Sequence, residues 1–511
     1  MTARSGIEQQ AKTLPFDALS IIAILWAGQT LVQLTSFPNS TATAQTAGWV
    51  AMVNWAGAST IAGWLVFAFC IGTLLYPERL KLFLALIVAA TLHYISDWPF
   101  VSNHLILDTF VSLAILGAVI AVLKGRLFST ASPRERDEIV GKFSPVAIVI
   151  FMLMYYFIVI SKMNEGFFDS QISCMHAMYS SFLMKENIFS AVGSIFGAEF
   201  LFWVFMVFEW LLPIMLMIRK TRLLAIYIGV PFHLLLGVMG HYWYSSIVLT
   251  LYAIVALPAI MSAMPPIIDR IGEKRLPTLK LILRAYVIAL AAAFVASAIL
   301  APEEGLLGYR LVVLHWAAVA GLVGLATLFS VGLTHFREGP LSVAHTPRML
   351  SAAPGALWVI VPVMCLNSLS PYAGYKTTNA VAMYSNMRTE NGENNHFFMP
   401  RLALFAHQDD LVEVLDSSNP AIAKLKGWPV LYGDPDIRLP VYITYFELRR
   451  AVSRSEDAGL WVRYKRNGVE RLYDRVLAQS PDKDLGARLP IWLEKTVMFR
   501  PIFKDRAYCL H

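Results

Sequence analysis

The sequence predicts a polytopic α-helical membrane protein, with about eleven transmembrane helices and a carboxyl-terminal extracytoplasmic α+β domain. Three observations predict it. Of 511 residues, 57% are hydrophobic and 15% charged, with mean hydropathy +0.56, whereas soluble domains carry roughly 25% charge. The apolar residues come in runs of about 20, the length that crosses a bilayer. Basic residues gather in alternate loops, as the positive-inside rule requires. Together these exclude a soluble enzyme, a disordered chain and a coiled coil.

The runs lie near 16–36, 57–76, 80–97, 103–123, 144–162, 197–218, 223–240, 243–263, 279–300, 310–333 and 355–371. An Ala42–Thr43–Ala44 triplet after the first has the look of a signal-peptidase site, but the run before it suits an uncleaved helix better. Basic residues fall at Lys12, Arg79 and Lys81, Lys124 to Lys142, Arg219 to Arg222, Arg270 to Arg275, and Arg337 and Arg348. The loops between them hold almost none, Lys185 and Arg310 excepted. That alternation predicts a cytoplasmic amino terminus and, after eleven spans, an external carboxyl-terminal region. No internal repeat supports an inverted-repeat transporter.

From about residue 376 the composition changes, and the last quarter holds roughly half of the charged residues. Leu460–Lys465 and Val469–Tyr473 flank Arg466–Asn467–Gly468, a hairpin signal. Asp409–Leu415 reads as a strand and Thr444–Val452 as an amphipathic helix. The expected divisions are a transmembrane domain over 1–263, further spans over 264–375, and the outer domain over 376–511.

The net charge of +7 fits basic cytoplasmic loops, and no basic-aromatic array points to nucleic acid. Four cysteines, Cys70, Cys174, Cys365 and Cys509, show no metal-ligand spacing. Cys70 and Cys365 read as core residues. Cys174 and Cys509 are both expected outside, where disulfides persist, and are the candidate pair.

Ionisable groups at membrane depth are costly and mark candidate sites. On the topology above they crowd the outer half: His93 and Asp97 at the end of the third span, His104 and Asp108 at the start of the fourth. Lys162 ends the fifth span, His176 follows in the next loop, His241 ends the seventh and His315 lies in the tenth. Glu209 and His233 sit nearest the midplane. His104 and Asp108, four apart on one helix, are placed to satisfy each other. Lys162 has two readings. An amine held among apolar residues loses its charge more readily and works as a base, while a lysine at a helix end also snorkels to the headgroups. Glu209 and His233, on adjacent spans, are expected to meet across the helix pair.

The run Tyr155–Tyr156–Phe157–Ile158–Val159–Ile160–Ser161–Lys162–Met163–Asn164–Glu165–Gly166 resembles the lysine-bearing segment of the vitamin K-dependent γ-glutamyl carboxylase superfamily, whose bacterial members are called HTTM proteins. Glu209 and Pro213, the basic turn Arg219–Arg222 and then Pro231–Phe232–His233 are similar to a second segment of it, so that the resemblance covers roughly residues 14–262. It implies a membrane enzyme of the carbon–carbon lyase or oxidoreductase type, with a reduced vitamin K-like quinone as cofactor. Lys162 would be the general base and His233 a pocket residue orienting quinone or substrate. Glu209, His176, His241, His93 and Asp97 would complete an outward-facing pocket. The substrate class is a peptide or a lipid-soluble molecule, the surrounding membrane lipids are the other expected partner, and the expected location is a bacterial inner membrane.

The stretch Gly374–His396, with Asn386, Arg388 and Glu390, begins just outside the last span and is similar to segments in HTTM-like proteins of this extended architecture. Its hydroxyl, amide and charged groups suit a polar headgroup or peptide; it reads equally as a linker helix. The competing functional class is a non-catalytic membrane transporter or a processing or binding factor. Lone ionisable residues on one side of the bundle favour a site over a conduit.

Overall fold

Among the described residues, apolar helices run as far as residue 373 and the strands lie beyond residue 410. The computed structural model describes residues 16–34, 61–126, 130–184, 190–300, 306–338, 353–429, 438–478 and 480–509. Lys12, the Ala42–Thr43–Ala44 triplet, Lys185 and Arg348 lie outside the described residues. Among those described, eight segments are long and apolar enough to cross a membrane. They are Leu80–Asp97, Asn103–Leu123, Pro133–Ser161, Glu199–Met217, Arg222–Ile271, Leu276–Ala296, Val313–Leu333 and Gly355–Ala373. Ala18–Leu34 and Ile61–Leu75 are shorter apolar helices.

In chain order the helices are α1 (Ala18–Leu34), α2 (Ile61–Leu75), α3 (Leu80–Asp97), α4 (Asn103–Leu123), α5 (Pro133–Ser161), α6 (Glu165–Phe168) and α7 (Cys174–Met184). Then follow α8 (Ser190–Met217), α9 (Arg222–Leu236), α10 (Tyr242–Ile271), α11 (Leu276–Leu300), α12 (Leu306–Glu338) and α13 (Ile360–Ala373). Local sequence explains the ends that matter. α5 starts at a capping box: the Ser132 hydroxyl accepts the Glu135 N–H, the Glu135 carboxylate accepts the Ser132 N–H, and Pro133 opens the first turn. α9 and α10 are separated by the wide turn Gly237–His241, in which Gly240 has φ +104°, a conformation only glycine adopts freely. The chain reverses there, and Gly229 of α9 lies flat against Tyr252 of α10.

α8 shows why a carboxylate can sit in such sequence. Trp203, Val207, Trp210, Ile214 and Met217 recur at helical spacing on the exposed face, the face suited to lipid. Phe202, Phe205, Met206, Glu209, Leu212 and Leu216 fall on the buried face. Glu209 therefore points into the bundle.

Beyond α13 the chain runs irregularly to Leu411 and then forms a wholly antiparallel sheet. Its strands are β1 (Leu411–Ser417), β2 (Gly427–Pro429), β3 (Arg438–Thr444), β4 (Trp461–Arg466), β5 (Val469–Asp474) and β6 (Ile502–Phe503). The order is β2-β3-β1-β4-β5, with β6 added on β3. Helices α14 (Pro420–Ala423), α15 (Tyr445–Arg454) and α16 (Ile491–Thr496) complete this region. The expected strand and helix appear as β1 and α15, and Thr444 caps α15 by accepting the Glu447 N–H. β4 and β5 pair across Asn467 (φ +51°) and Gly468 (φ +76°), the two positive φ values of a type I′ turn. Val412, Val414, Val441, Ile443, Leu448, Val462 and Tyr464 form its core.

This region is seated on one end of the bundle. Asn379 donates to the Pro99 carbonyl, the Val381 N–H to Asn103 at 2.8 Å, and Lys495 to the Ser96 carbonyl. His396 Nε2 donates to the Ile160 carbonyl at 2.8 Å, at the end of α5. At the opposite end Arg136 ties three helix starts together, donating to Asp17 at 2.5 Å and to the Glu78 carbonyl at 3.0 Å.

Three expected local arrangements differ. His104 and Asp108 do not pair: His104 shares a 2.8 Å bond with Ser102, while Asp108 accepts from Gln29 at 2.6 Å and Ser112 at 3.0 Å. Asp108 is fully buried and takes the amide donor that α1 aims at it. Glu209 does not meet His233, because a lysine reaches it first. Residues 374–396 form no helix, since seven of them (Gly374, Asn379, Val381, Tyr384, Asn386, Asn391 and Gly392) hold positive φ.

Candidate functional site

Lys162 is the C-cap of α5, just past its last turn. Side chains on a helix tilt toward its amino terminus, so an unrestrained lysine here leans back toward the bundle. It does so: Lys162 is 2% exposed, and its Nζ donates to Glu209 Oε2 at 2.5 Å. Snorkelling is thus excluded. The carbonyl end of α5 and the Glu209 carboxylate both lie at this side chain. Nζ also lies 5.5 Å from the centre of the Phe167 ring.

The backbone that presents Lys162 is clamped. Asn164, fully buried, donates to the carbonyls of Ser161 (2.8 Å) and Ser385 (2.5 Å) and accepts from the Phe167 N–H at 2.9 Å. Asn164 and His396 form a β-bridge, and the His396 ring bonds the Ile160 carbonyl. The loop after Lys162 is held by residues more than 200 positions downstream.

His233 is wholly buried and shares a short hydrogen bond with Tyr155, which lies two turns before Lys162 on the same face of α5. Tyr155 also bonds Tyr252 at 3.0 Å, and Ser245 donates to the His233 carbonyl at 2.7 Å. The result is a polar seam between α5, α9 and α10, next to the ion pair. Phe205 and Phe208 of α8 pack on Phe232, beside His233, with ring centres 5.0 and 5.9 Å apart.

The remaining candidates divide. His176 donates to Glu199 at 2.7 Å and stacks on Phe202, which contacts Phe167 in turn, so a chain of rings connects it to Lys162. His241 shares hydrogen bonds with Met178 Sδ (3.0 Å) and the Tyr384 hydroxyl (3.2 Å). His93 and Asp97 face each other at 3.8 Å on α3. Arg388 pairs with Glu393 at 2.7 Å, and Glu390 accepts from Arg500 at 3.4 Å, so the fold itself uses both charges. Asn386 binds backbone only: it accepts the Cys174 N–H and donates to the carbonyls of Ile172 and Ala507, each at 2.8 Å. Cys174 and Cys509 form a disulfide beside it.

Sequence reading overlooked Tyr252, Tyr384, Asn164 and Gln29. Gln29 and Gln33, one turn apart in an apolar run, were a legible sign of a buried polar contact. The others carried no local signal. Among the described residues no group of three or more His, Cys, Asp and Glu could hold a metal ion. No family model, curated protein or solved structure matches this chain.

Proposed function

We propose that the protein is an integral membrane enzyme of the carboxylase-like type, acting on a lipid-soluble or peptide substrate, with Lys162 as its proton-transfer group. The proposal includes about eleven spans, a cytoplasmic amino terminus, and the sheet-bearing domain outside a bacterial inner membrane. One observation carries it: the buried contact of Lys162 with Glu209. Charges inside a bundle are expensive and are kept for use. A proton that passes from the lysine to the carboxylate leaves the net charge of the pair unchanged. The neutral amine thus becomes available without exporting charge to lipid, which is what a general base in a dry site requires.

A reduced quinone suits the surroundings. Phe167 and Phe202 offer aromatic faces, and the buried Nδ1 atoms of His233 and His176 have no hydrogen-bond partner among the described residues. Those imidazoles would hold its oxygens, and the bound group would supply reducing equivalents. Tyr155 fixes the His233 ring through Nε2, leaving Nδ1 to the ligand.

The test uses purified protein in lipid nanodiscs in air-saturated buffer, with a reduced naphthoquinone as probe and dioxygen as the two-electron acceptor, following quinone formation above empty nanodiscs. Lys162→Arg keeps the charge and removes the accessible neutral amine. It should slow oxidation about 100-fold or more, the usual weight of a general base, with the melting temperature unchanged. An unaltered rate in that variant removes the catalytic role. No oxidation by the unaltered protein removes the quinone. The competing reading, a non-catalytic transporter or processing factor, draws on the completeness of the ion pair, which already satisfies both charges.

A further inference from the structure

A cavity of about 290 Å³ lies apart from Lys162. It is lined by the loop after α3, by α4 and α13, by the chain just beyond α13, and by α16. Its two halves differ in chemistry. Ile106 and Phe110 of α4 and Val363 and Leu366 of α13 make an apolar wall, and Leu366 is 71% exposed on a helix of membrane-spanning length. The wall is therefore open on the side where lipid chains would lie. At the other half stand two lysines. Lys376, only 8% exposed, donates to Asn367 Oδ1 at 2.6 Å, and Lys495 donates to the Ser96 carbonyl.

Both partners are neutral. No Asp or Glu lines the cavity among the described residues, and neither lysine forms an ion pair there. A buried ammonium with a single amide acceptor leaves N–H donors and a charge uncompensated, an arrangement folded proteins avoid unless a counter-ion completes it. Burial pushes the Lys376 ammonium down to about 8, as expected of a cation that lacks its anion.

We propose that this cavity binds an anionic membrane lipid, its headgroup held between Lys376 and Lys495 and its acyl chain laid along Val363 and Leu366. Tyr375 and Thr496 line the same end, with the Tyr375 hydroxyl donating to Thr496 Oγ1 at 2.5 Å and Thr496 donating on to the Trp492 carbonyl, so the two lysines are left as the donors to the headgroup. Trp98 lines the cavity from the loop after α3, a position suited to an aromatic residue at the headgroup level. The shared chemistry is a single anion next to a greasy wall, and a free anion such as phosphate could satisfy only half of it.

The experiment takes the full chain in nanodiscs of phosphatidylcholine, titrates phosphatidylglycerol, and counts retained lipid by native mass spectrometry. One phosphatidylglycerol should be retained per protein, and phosphatidylcholine should not displace it. Lys376→Gln/Lys495→Gln should weaken retention about tenfold or more, since two charge-assisted bonds are lost. Lys495→Gln alone, at a half-buried position, tests the same point without disturbing the buried lysine. Leu366→Trp should weaken retention by filling the chain half. Equal retention by all variants overturns the proposal. Stabilisation by inorganic phosphate to the same extent as by phosphatidylglycerol, with no effect of Leu366→Trp, overturns the lipid assignment and leaves a free-anion site.

Discussion

Lys162 and Glu209 are 47 residues apart in the chain and 2.5 Å apart in space. One stands at the end of α5 and the other on the inward face of α8, so each is buried only because the other is present. Pairs of this kind cost little when whole and much when broken, because the survivor is a lone charge in an apolar interior. Lys162→Met or Glu209→Gln alone should destabilise the protein by about 3–5 kcal/mol. Lys162→Met/Glu209→Met should recover most of that loss. Unfolding in detergent, read as a double-mutant cycle, checks it; additive losses would show that the two do not act as a unit.

Asn386 should prove a positioning residue rather than a ligand contact. Its side chain holds the Cys174 N–H and two carbonyls, and its backbone lies at φ +50°, where alanine is strained. Asn386→Ala should cost about 2–4 kcal/mol and speed reduction of the Cys174–Cys509 disulfide by dithiothreitol. Asn386→Asp keeps the acceptor and loses both donors, and should fall between.

Two helical glycines should respond in opposite directions. A Cβ at Gly229 would stand 2.0 Å from the Tyr252 hydroxyl, whereas one at Gly141 of α5 meets nothing within 4 Å. Gly229→Ala should destabilise by about 1–3 kcal/mol by forcing the Tyr252–Tyr155 contact apart. Gly141→Ala should stabilise by about 0.5–1 kcal/mol through helix propensity. Melting temperatures of the two variants, compared side by side, decide the matter.

Lys376 gives a pH dependence of defined sign. Its folded pKa, about 8, lies below the ordinary 10.5. Between these values the unfolded chain binds more protons than the folded one, so stability rises with pH through that window and levels off above it. Below about 8 the lysine is charged in both states and the burial penalty is constant. The full gain is of order 3 kcal/mol. Lys495, Tyr375 and Thr496 face the same cavity, and none is a carboxylate that could reverse the sign. Unfolding midpoints of the unaltered protein and Lys376→Met, both free of anionic lipid, should converge from pH 8 to 10.5, the unaltered protein gaining on the variant. A pH-independent difference would remove the cause given.

The sequence made the local features legible wherever a short-range cause was enough. Asn467–Gly468 announced a hairpin because a type I′ turn needs two positive φ values. Thr444 announced a helix start because its hydroxyl caps the Glu447 N–H. The polar residues of the site were visible as individuals, since each breaks an apolar run, but their partners were not. Adjacency of spans points Glu209 at His233, and spacing on one helix points Asp108 at His104. In both cases a residue from elsewhere in the chain, Lys162 or Gln29, took the contact.

What the sequence alone determined is therefore the material of the protein: apolar helices in membrane-length runs, a polar terminal region with strands, and costly charges at identifiable positions. Hydrophobic run length and turn chemistry are local properties, and they carry over into any packing of the chain. Only the tertiary structure decided which charge answers which, that Lys162 turns inward, that residues 374–396 clamp the loop behind it, and that Lys376 and Lys495 converge over an apolar groove. Those outcomes depend on which helix faces meet, and a buried charge accepts whichever partner that meeting brings within hydrogen-bonding distance.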